Sequence, residues 1–389
     1  MAAIWAARTQ AGRRIVCLDG APTLGAKILI AGGGRCNVTH DVVDERAFAG
    51  SSPNAIRKVL RRFDVDATVA FFREQGVALK REETGKLFPV TDRARTVLDA
   101  LVTAATDAGV ELRHPWRVET VERRHADFVL AGPAGLLRAA RLVLATGGRS
   151  VPQTGSDGHG YLLAQSLGHT VTRTFPALVP LTLPDGHFLR GLSGVTVSAS
   201  LEVRTATGKR LHAVEGSLVC THTGLSGPVV LDVSRHWLAA RADPAAQLVV
   251  SWLPGETPEG VDVLLRAPGA SGAARRLHAR LPERLVRALC AQAGVDPSAP
   301  APATSRARRR ALVGAVTGLV LPITGDRGFT HAEATAGGVP LGEVQLATMA
   351  SRVCPGLHLC GEICDVDGRI GGYNFQWAWS SGYVAGVAV

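Results

Sequence analysis

The sequence predicts an α/β fold, a parallel central sheet of dinucleotide-binding type in a three-layer arrangement, interrupted by an inserted β-rich plus helical domain. Three observations predict it. Residues 2–11 read as a helix that leads into Arg14-Ile15-Val16-Cys17-Leu18-Asp19, a β-branched and apolar run ending in an acid. A second apolar run, Leu142-Val143-Leu144, ends in Ala145-Thr146-Gly147-Gly148. A third passes from Leu357-His358-Leu359 to Glu362, then to Gly371-Gly372 and a final helix over 374–388. Short, wholly apolar runs are what a sheet covered on both faces requires.

The remaining elements follow in order. Residues 25–40 read as a glycine-rich loop. Residues 54–76 and 93–108 place apolar side chains at helical spacing. Strand-like pieces stand at 116–121, 128–130 and 141–145. Gly132-Pro133-Ala134-Gly135-Leu136 imitates a phosphate loop, but the next strand starts too soon for a crossover helix, so a hairpin turn is expected. The composition shifts after Pro176-Ala177-Leu178-Val179-Pro180-Leu181. Short strands follow to about 255, among them the alternating run at 195–203. Residues 256–320 are rich in Arg and Ala and read as helical, with Leu277, Leu281, Leu285 and Leu289 four apart. The expected organisation is 1–175 and 323–389 for the cofactor-binding domain, 176–255 for the β-rich insertion and 256–322 for the helical one.

Composition narrows the class. Of 389 residues, 46% are hydrophobic and 20% charged, as in an ordinary globular protein. No apolar run reaches the ~18 residues of a membrane span. The first eight residues lack a basic leader and a cleavage site, so a cytoplasmic protein is expected. The seven cysteines (Cys17, Cys36, Cys220, Cys290, Cys354, Cys360, Cys364) are odd in number and scattered, which argues against a disulfide framework. No CxxC pair occurs, so no metal site is expected. The formal charge is +10 and the pI about 9.7. That balance points to acidic partners, RNA among them, or to compositional bias, since only five of the 43 basic residues are lysine.

The chemistry resides in turns. An acid at the end of the second strand of a dinucleotide-binding unit bonds the adenosine ribose, and Asp19 stands in that place. The glycine loop that precedes such a strand would fall before Met1. The small residues after Leu144 let a cofactor approach the backbone where a Cβ would clash. At the third run, an acid suits a chain of polyol hydroxyls. The helix N-terminus that follows suits an electron-rich ring edge that gains negative charge on reduction.

On these residues the sequence resembles the HI0933-like (YhiN-type, BaiN-like) family of FAD-dependent oxidoreductases. The matching segments are 25–40, Gly85-Lys86-Leu87-Phe88-Pro89, 145–158, 176–181, Thr221-His222-Thr223-Gly224-Leu225-Ser226-Gly227-Pro228, Ala336-Gly337-Gly338-Val339 and 361–376. They run in order through nearly the whole chain. The resemblance implies an FAD domain of two-dinucleotide-binding type, split by an insertion. It implies that Asp19 binds the ribose and that Gly25, Lys27, Gly34, Arg35, Cys36 and Asn37 lie along the pyrophosphate and flavin. Val118 would meet the adenine through its backbone. Ala145, Thr146 and Gly147 would line the FAD. Gly361 and Glu362 would meet the ribityl chain, and Gly372, Tyr373 and Asn374 the isoalloxazine edge. Family members open with a strand and a GGGPAGL-like loop. This sequence opens just after it, so a miscalled start is expected, with weak FAD retention by the polypeptide from Met1.

The expected activity is hydride transfer between flavin and a substrate, by C=C reduction or amine oxidation. NAD(P)H is expected only as a transient donor, because no second nucleotide loop is present. Cys36 and His222 are the candidate proton donors. An alternative is reduction of a base in structured RNA, with Arg275, Arg276, Arg280, Arg284, Arg287, Arg306, Arg308, Arg309 and Arg310 meeting phosphates. An alternative of another class is a flavin-free basic binding protein.

Overall fold

The computed structural model describes residues 1–10, 12–267, 272–298 and 303–389. They form two compact units, one of Met1–Pro176 with Ala332–Val389 and one of Ala177–His331.

In the first unit the helix Ala2–Thr9 packs on the closing helix Tyr373–Ala388. Gly386 permits this: a Cβ there would stand 2.4 Å from the Ala2 carbonyl oxygen. The strand Val16–Leu18 runs parallel to Glu111–Arg113, with Cys17 opposite Leu112. A second parallel pair joins Leu142–Leu144 to Leu357–Leu359, with Val143 opposite His358. Among the described residues each of Val16–Leu18 and Leu142–Leu144 is bonded to a strand on one edge only. Thr120–Arg124, Asp127–Gly132 and Gly135–Ala139 form an antiparallel sheet, and Gly132 pairs with Gly135 across the expected hairpin turn.

Two apolar clusters hold this unit. One gathers Phe48, Ile56, Phe128, Leu144, Leu357, Leu359 and Trp377. The other gathers Ile4, Phe71, Phe72, Val97 and Trp379. Each of these large side chains contributes about 1.5–3 kcal/mol through loss of contact with water.

The second unit carries a seven-stranded antiparallel sheet in the order Leu319–Leu321, Gln247–Ser251, Thr196–Arg204, Arg210–Cys220, Gly224–Ser226, Leu181–Thr182, Gly325–Asp326. The predicted alternation is real: Val197, Ala199, Leu201 and Val203 are buried, against the helix Pro228–Ala240 and its neighbours. The helices Pro258–Arg266, Ala273–His278, Glu283–Gln292 and Arg306–Thr317 follow, and Leu277, Leu281, Leu285 and Leu289 all point inward.

Two local expectations need correction. Residues 26–34 are helical rather than loop, broken where Ala31 turns to ψ 143° and Gly32 and Gly33 take φ 58° and 68°. The apolar Ile28-Leu29-Ile30 propagates a helix that the glycines then interrupt. The helical reading of 256–320 runs too far, because Leu319–Leu321 adds an edge strand to Gln247–Ser251. Its β-compatible side chains find a ladder there, and pairing overrides the preceding helical trend.

Candidate active site

The strand Val16–Leu18 ends at Asp19, whose Oδ1 accepts the Ala21 N–H at 2.8 Å. A cavity of about 1210 Å³ opens beside it, with Val16–Leu18 and Leu142–Leu144 among the residues that line it. Asp19, Val118, Ala145, Thr146 and Gly147 all line it. Ordinary small-molecule pockets span about 300–1,000 Å³, so an extended dinucleotide fits this volume. The small-residue turn is required locally: a Cβ on Gly148 would meet Thr335 Oγ1 at 2.4 Å, and Gly147 holds φ 73°.

A carboxylate network borders this wall. Glu362, with 18% of its side chain exposed, accepts Lys27 Nζ at 2.8 Å and the Gly148 N–H at 3.3 Å on Oε2. Its Oε1 accepts the Thr335 N–H at 2.7 Å. Thr335 Oγ1 accepts the Arg149 N–H at 2.8 Å and lies 3.0 Å from Ser150 Oγ. A Cβ on Gly147 would stand 3.8 Å from Glu362 Oε2, so the network and the cavity share that glycine. Charge-assisted bonds from an ammonium and two backbone amides hold such a carboxylate in one orientation.

The turn before the last helix forms a third cluster. Gly372 caps Tyr373–Ala388 at φ 96°, and a Cβ there would lie 2.6 Å from the Thr39 carbonyl carbon. Asn374 folds back on its own turn: Oδ1 accepts the Gly368 N–H at 2.8 Å and Nδ2 donates to the Gly368 oxygen at 3.0 Å. Tyr373 stacks on His40 with ring centroids 4.9 Å apart. Gly361, at φ 76°, donates its N–H to Ser381 Oγ at 2.9 Å.

Residues 25–37 divide between these surroundings. Gly25 caps the helix at φ 67° and Gly34 ends it at φ 82°. Arg35 is engaged by protein, 2.6 Å from Glu82 Oε1, 3.6 Å from Asp92 Oδ1 and 4.0 Å over the Phe88 ring. Asn37 is 8% exposed, and its Oδ1 has no hydrogen-bond partner among the described residues. A buried acceptor of that kind calls for a donor. Cys36 stands in the left-handed region at φ 60°, fully buried, and burial pushes its thiol up to about 12. His222 belongs to the other unit, where it is exposed and its carbonyl oxygen accepts Arg190 Nε at 2.8 Å.

Asp19, Val118 and residues 145–147 therefore meet at one cavity, and Lys27 meets Glu362 beside it. Thr335 and Ser150 complete the network and were not singled out in the sequence. Thr335 immediately precedes the Ala336-Gly337-Gly338 segment, which was the available signal.

The model of the HI0933-like protein Rossmann domain matches residues 1–388. The chain belongs to this family. It is thus an FAD-dependent oxidoreductase by family. It is 33% identical over 394 residues to a 3-dehydro-bile acid delta(4,6)-reductase of Clostridium scindens, covering 100% of this chain and 95% of that one. It is 34% identical over 377 residues to a ribosomal RNA dihydrouridine synthase of Escherichia coli, covering 96% and 91%. A protein of the same name from Haemophilus influenzae is 30% identical, with 97% and 93% covered. Among the described residues no helix is long and apolar enough to cross a membrane.

Proposed function

We propose that this oxidoreductase reduces a carbon–carbon double bond conjugated with a carbonyl group, with FAD as the hydride carrier and a nicotinamide as transient donor. The similarity to relatives along nearly the whole chain carries the reading. One is named for reducing double bonds of a 3-oxo steroid, the other for making the saturated form of uridine. Each name describes addition of hydrogen to an electron-poor C=C bond.

The residues fit the cofactor. Asp19 is proposed to hold the ribose, Val118 the adenine through its backbone, and Ala145, Thr146 and Gly147 the cavity wall. Glu362 would meet ribityl hydroxyls, with Lys27 fixing its orientation. Gly25, Gly34, Arg35 and Asn37 would frame the pyrophosphate and ring, Gly361 the ribityl chain, and Gly372, Tyr373 and Asn374 the ring edge. Asn37 Oδ1 would gain its missing donor. When bound, FAD supplies two electrons and a proton as hydride. The chain orients the ring, excludes water and delivers a proton to the carbon next to the carbonyl. His222 and Cys36 are the two donors proposed; the burial of Cys36 favours a packing role for it. Seven unpaired cysteines support a reducing, cytoplasmic setting.

The test is anaerobic. Protein loaded with FAD and reduced by NADPH should be reoxidised by a 3-oxo-Δ4 steroid or a simple cyclic enone. Reoxidation by amines' imines or oxygen alone, with no enone turnover, would sink the reading.

A second reading places the double bond in a uracil of structured RNA. The arginine distribution favours it. Arg280 pairs with Glu256, Arg287 with Glu283 and Arg309 with Asp262, while Arg276 and Arg284 donate to backbone carbonyls. The exposed side chains of Arg275, Arg306, Arg308 and Arg310 have no hydrogen-bond or ion-pair partner among the described residues and stay available to phosphates. Four phosphate contacts give a slope of roughly −3 in log affinity against log salt. Salt-independent RNA binding, or none at low salt, would remove this reading.

A further inference from the structure

We infer that Lys86 is the charge-compensating residue of the flavin ring, a positioning cation held against the turn that opens the last helix. This rests on the reading that Gly372, Tyr373 and Asn374 face the ring edge. Lys86 begins the strand Lys86–Pro89, in antiparallel register with His40. The preceding Gly85 fixes its approach: at φ 83°, a Cβ there would stand 2.4 Å from Asp41 Oδ1 and from His40 Cε1. Leu87 turns into the core, and Lys86 turns the other way along the pleat. Its stem runs past Gly371, where Cε lies 3.6 Å from the position a Cβ would take, beside His40 Cδ2 at 3.6 Å and Tyr373 Cε2 at 3.5 Å.

Lys86 as a residue is half-buried, and its ammonium has no hydrogen-bond or ion-pair partner among the described residues. The acids of the neighbouring strands are engaged elsewhere. Asp41 is held by Arg81 and Glu82 by Arg35. A cation with no counter-charge of its own is free to complete an anion bound beside it. A flavin ring that takes up a hydride, two electrons with one proton, acquires one negative charge. Its edge, placed on the Gly371–Gly372 turn, puts that charge within reach of Lys86. Lys86 thereby favours the reduced ring and any anionic adduct over the neutral oxidised ring.

Sulfite reports this without turnover, because it adds to an oxidised flavin and leaves a negative charge on it. The protein is loaded with FAD and titrated with sulfite, following loss of the visible flavin band. K86M should bind sulfite about tenfold more weakly, at unchanged FAD affinity. K86R should return to within about threefold of the parent, and K58M, on an exposed helix position, should match it. Sulfite affinity in K86M equal to that of the parent overturns the proposal while leaving the flavin reading intact. Loss of FAD from both K86M and K86R overturns it in favour of a packing role. A parent protein that takes up no FAD overturns the flavin reading itself.

Discussion

Lys27 Nζ lies 2.8 Å from Glu362 Oε2, a contact between residues 335 positions apart in the chain. It ties the broken helix Ala26–Gly34 to the turn after the strand Leu357–Leu359. Glu362→Gln keeps the shape and removes the charge. It should cost about 1–3 kcal/mol in urea unfolding and weaken FAD retention by about tenfold or more. Retention equal to the parent would remove Glu362 from the cofactor site.

Gly372 offers a steric test. Alanine there must hold φ 96° with its Cβ against Thr39 backbone atoms. The expected destabilisation is about 2–4 kcal/mol, with loss of FAD, read by thermal unfolding and the visible spectrum. Ala at Gly76, whose Cβ would meet nothing within 4 Å, is the control: it keeps the strain of φ 77° without the clash and should cost about 1 kcal/mol.

His358 sets a pH dependence. It is 3% exposed in the strand Leu357–Leu359, its Nδ1 lacks a partner among the described residues, and burial holds its pKa down at about 4. A neutral imidazole in the fold and an ordinary one in the unfolded chain mean that the unfolded state binds more protons between about pH 6.5 and 4. Its contribution is therefore fully present above about pH 6.5 and lost as pH falls towards 4. His358→Phe should flatten the stability profile in that window. A profile identical to the parent's would contradict this.

Cys36 separates packing from proton delivery. With the thiol buried and pushed up to about 12, Cys36→Ala should cost about 1–2 kcal/mol in stability. Flavin reoxidation by an enone should change less than about threefold, since the sulfur is buried. A hundredfold loss at unchanged stability would restore Cys36 as the donor.

Where the signal is periodic or depends on glycine, the fold was legible in the sequence. The alternation at Thr196–Arg204, the leucines four apart at 277–289 and the Gly132–Gly135 hairpin each reflect one local physical rule. Of the candidate cofactor residues that sat in motifs, Asp19, Val118 and 145–147 do line one cavity. Partners set by long-range contact were not legible. Arg35 meets Glu82 and Phe88, and Thr335 meets Glu362, only because the tertiary fold brings them there. Local pattern also misjudged the 25–34 segment, where three apolar residues carry a helix up to the glycine break.

The packing of Ala2–Thr9 on Tyr373–Ala388 imposes an order on synthesis. The helix Ala2–Thr9 finds its partner only once the chain has been made as far as Tyr373–Ala388. At about 5–20 residues per second, Ile4 and Trp5 wait roughly twenty to seventy seconds without their final cover. The continuous unit Ala177–His331 is complete well before then and can close on its own contacts. The unit that is discontinuous in sequence, Met1–Pro176 with Ala332–Val389, thus closes around a continuous unit that can fold before it.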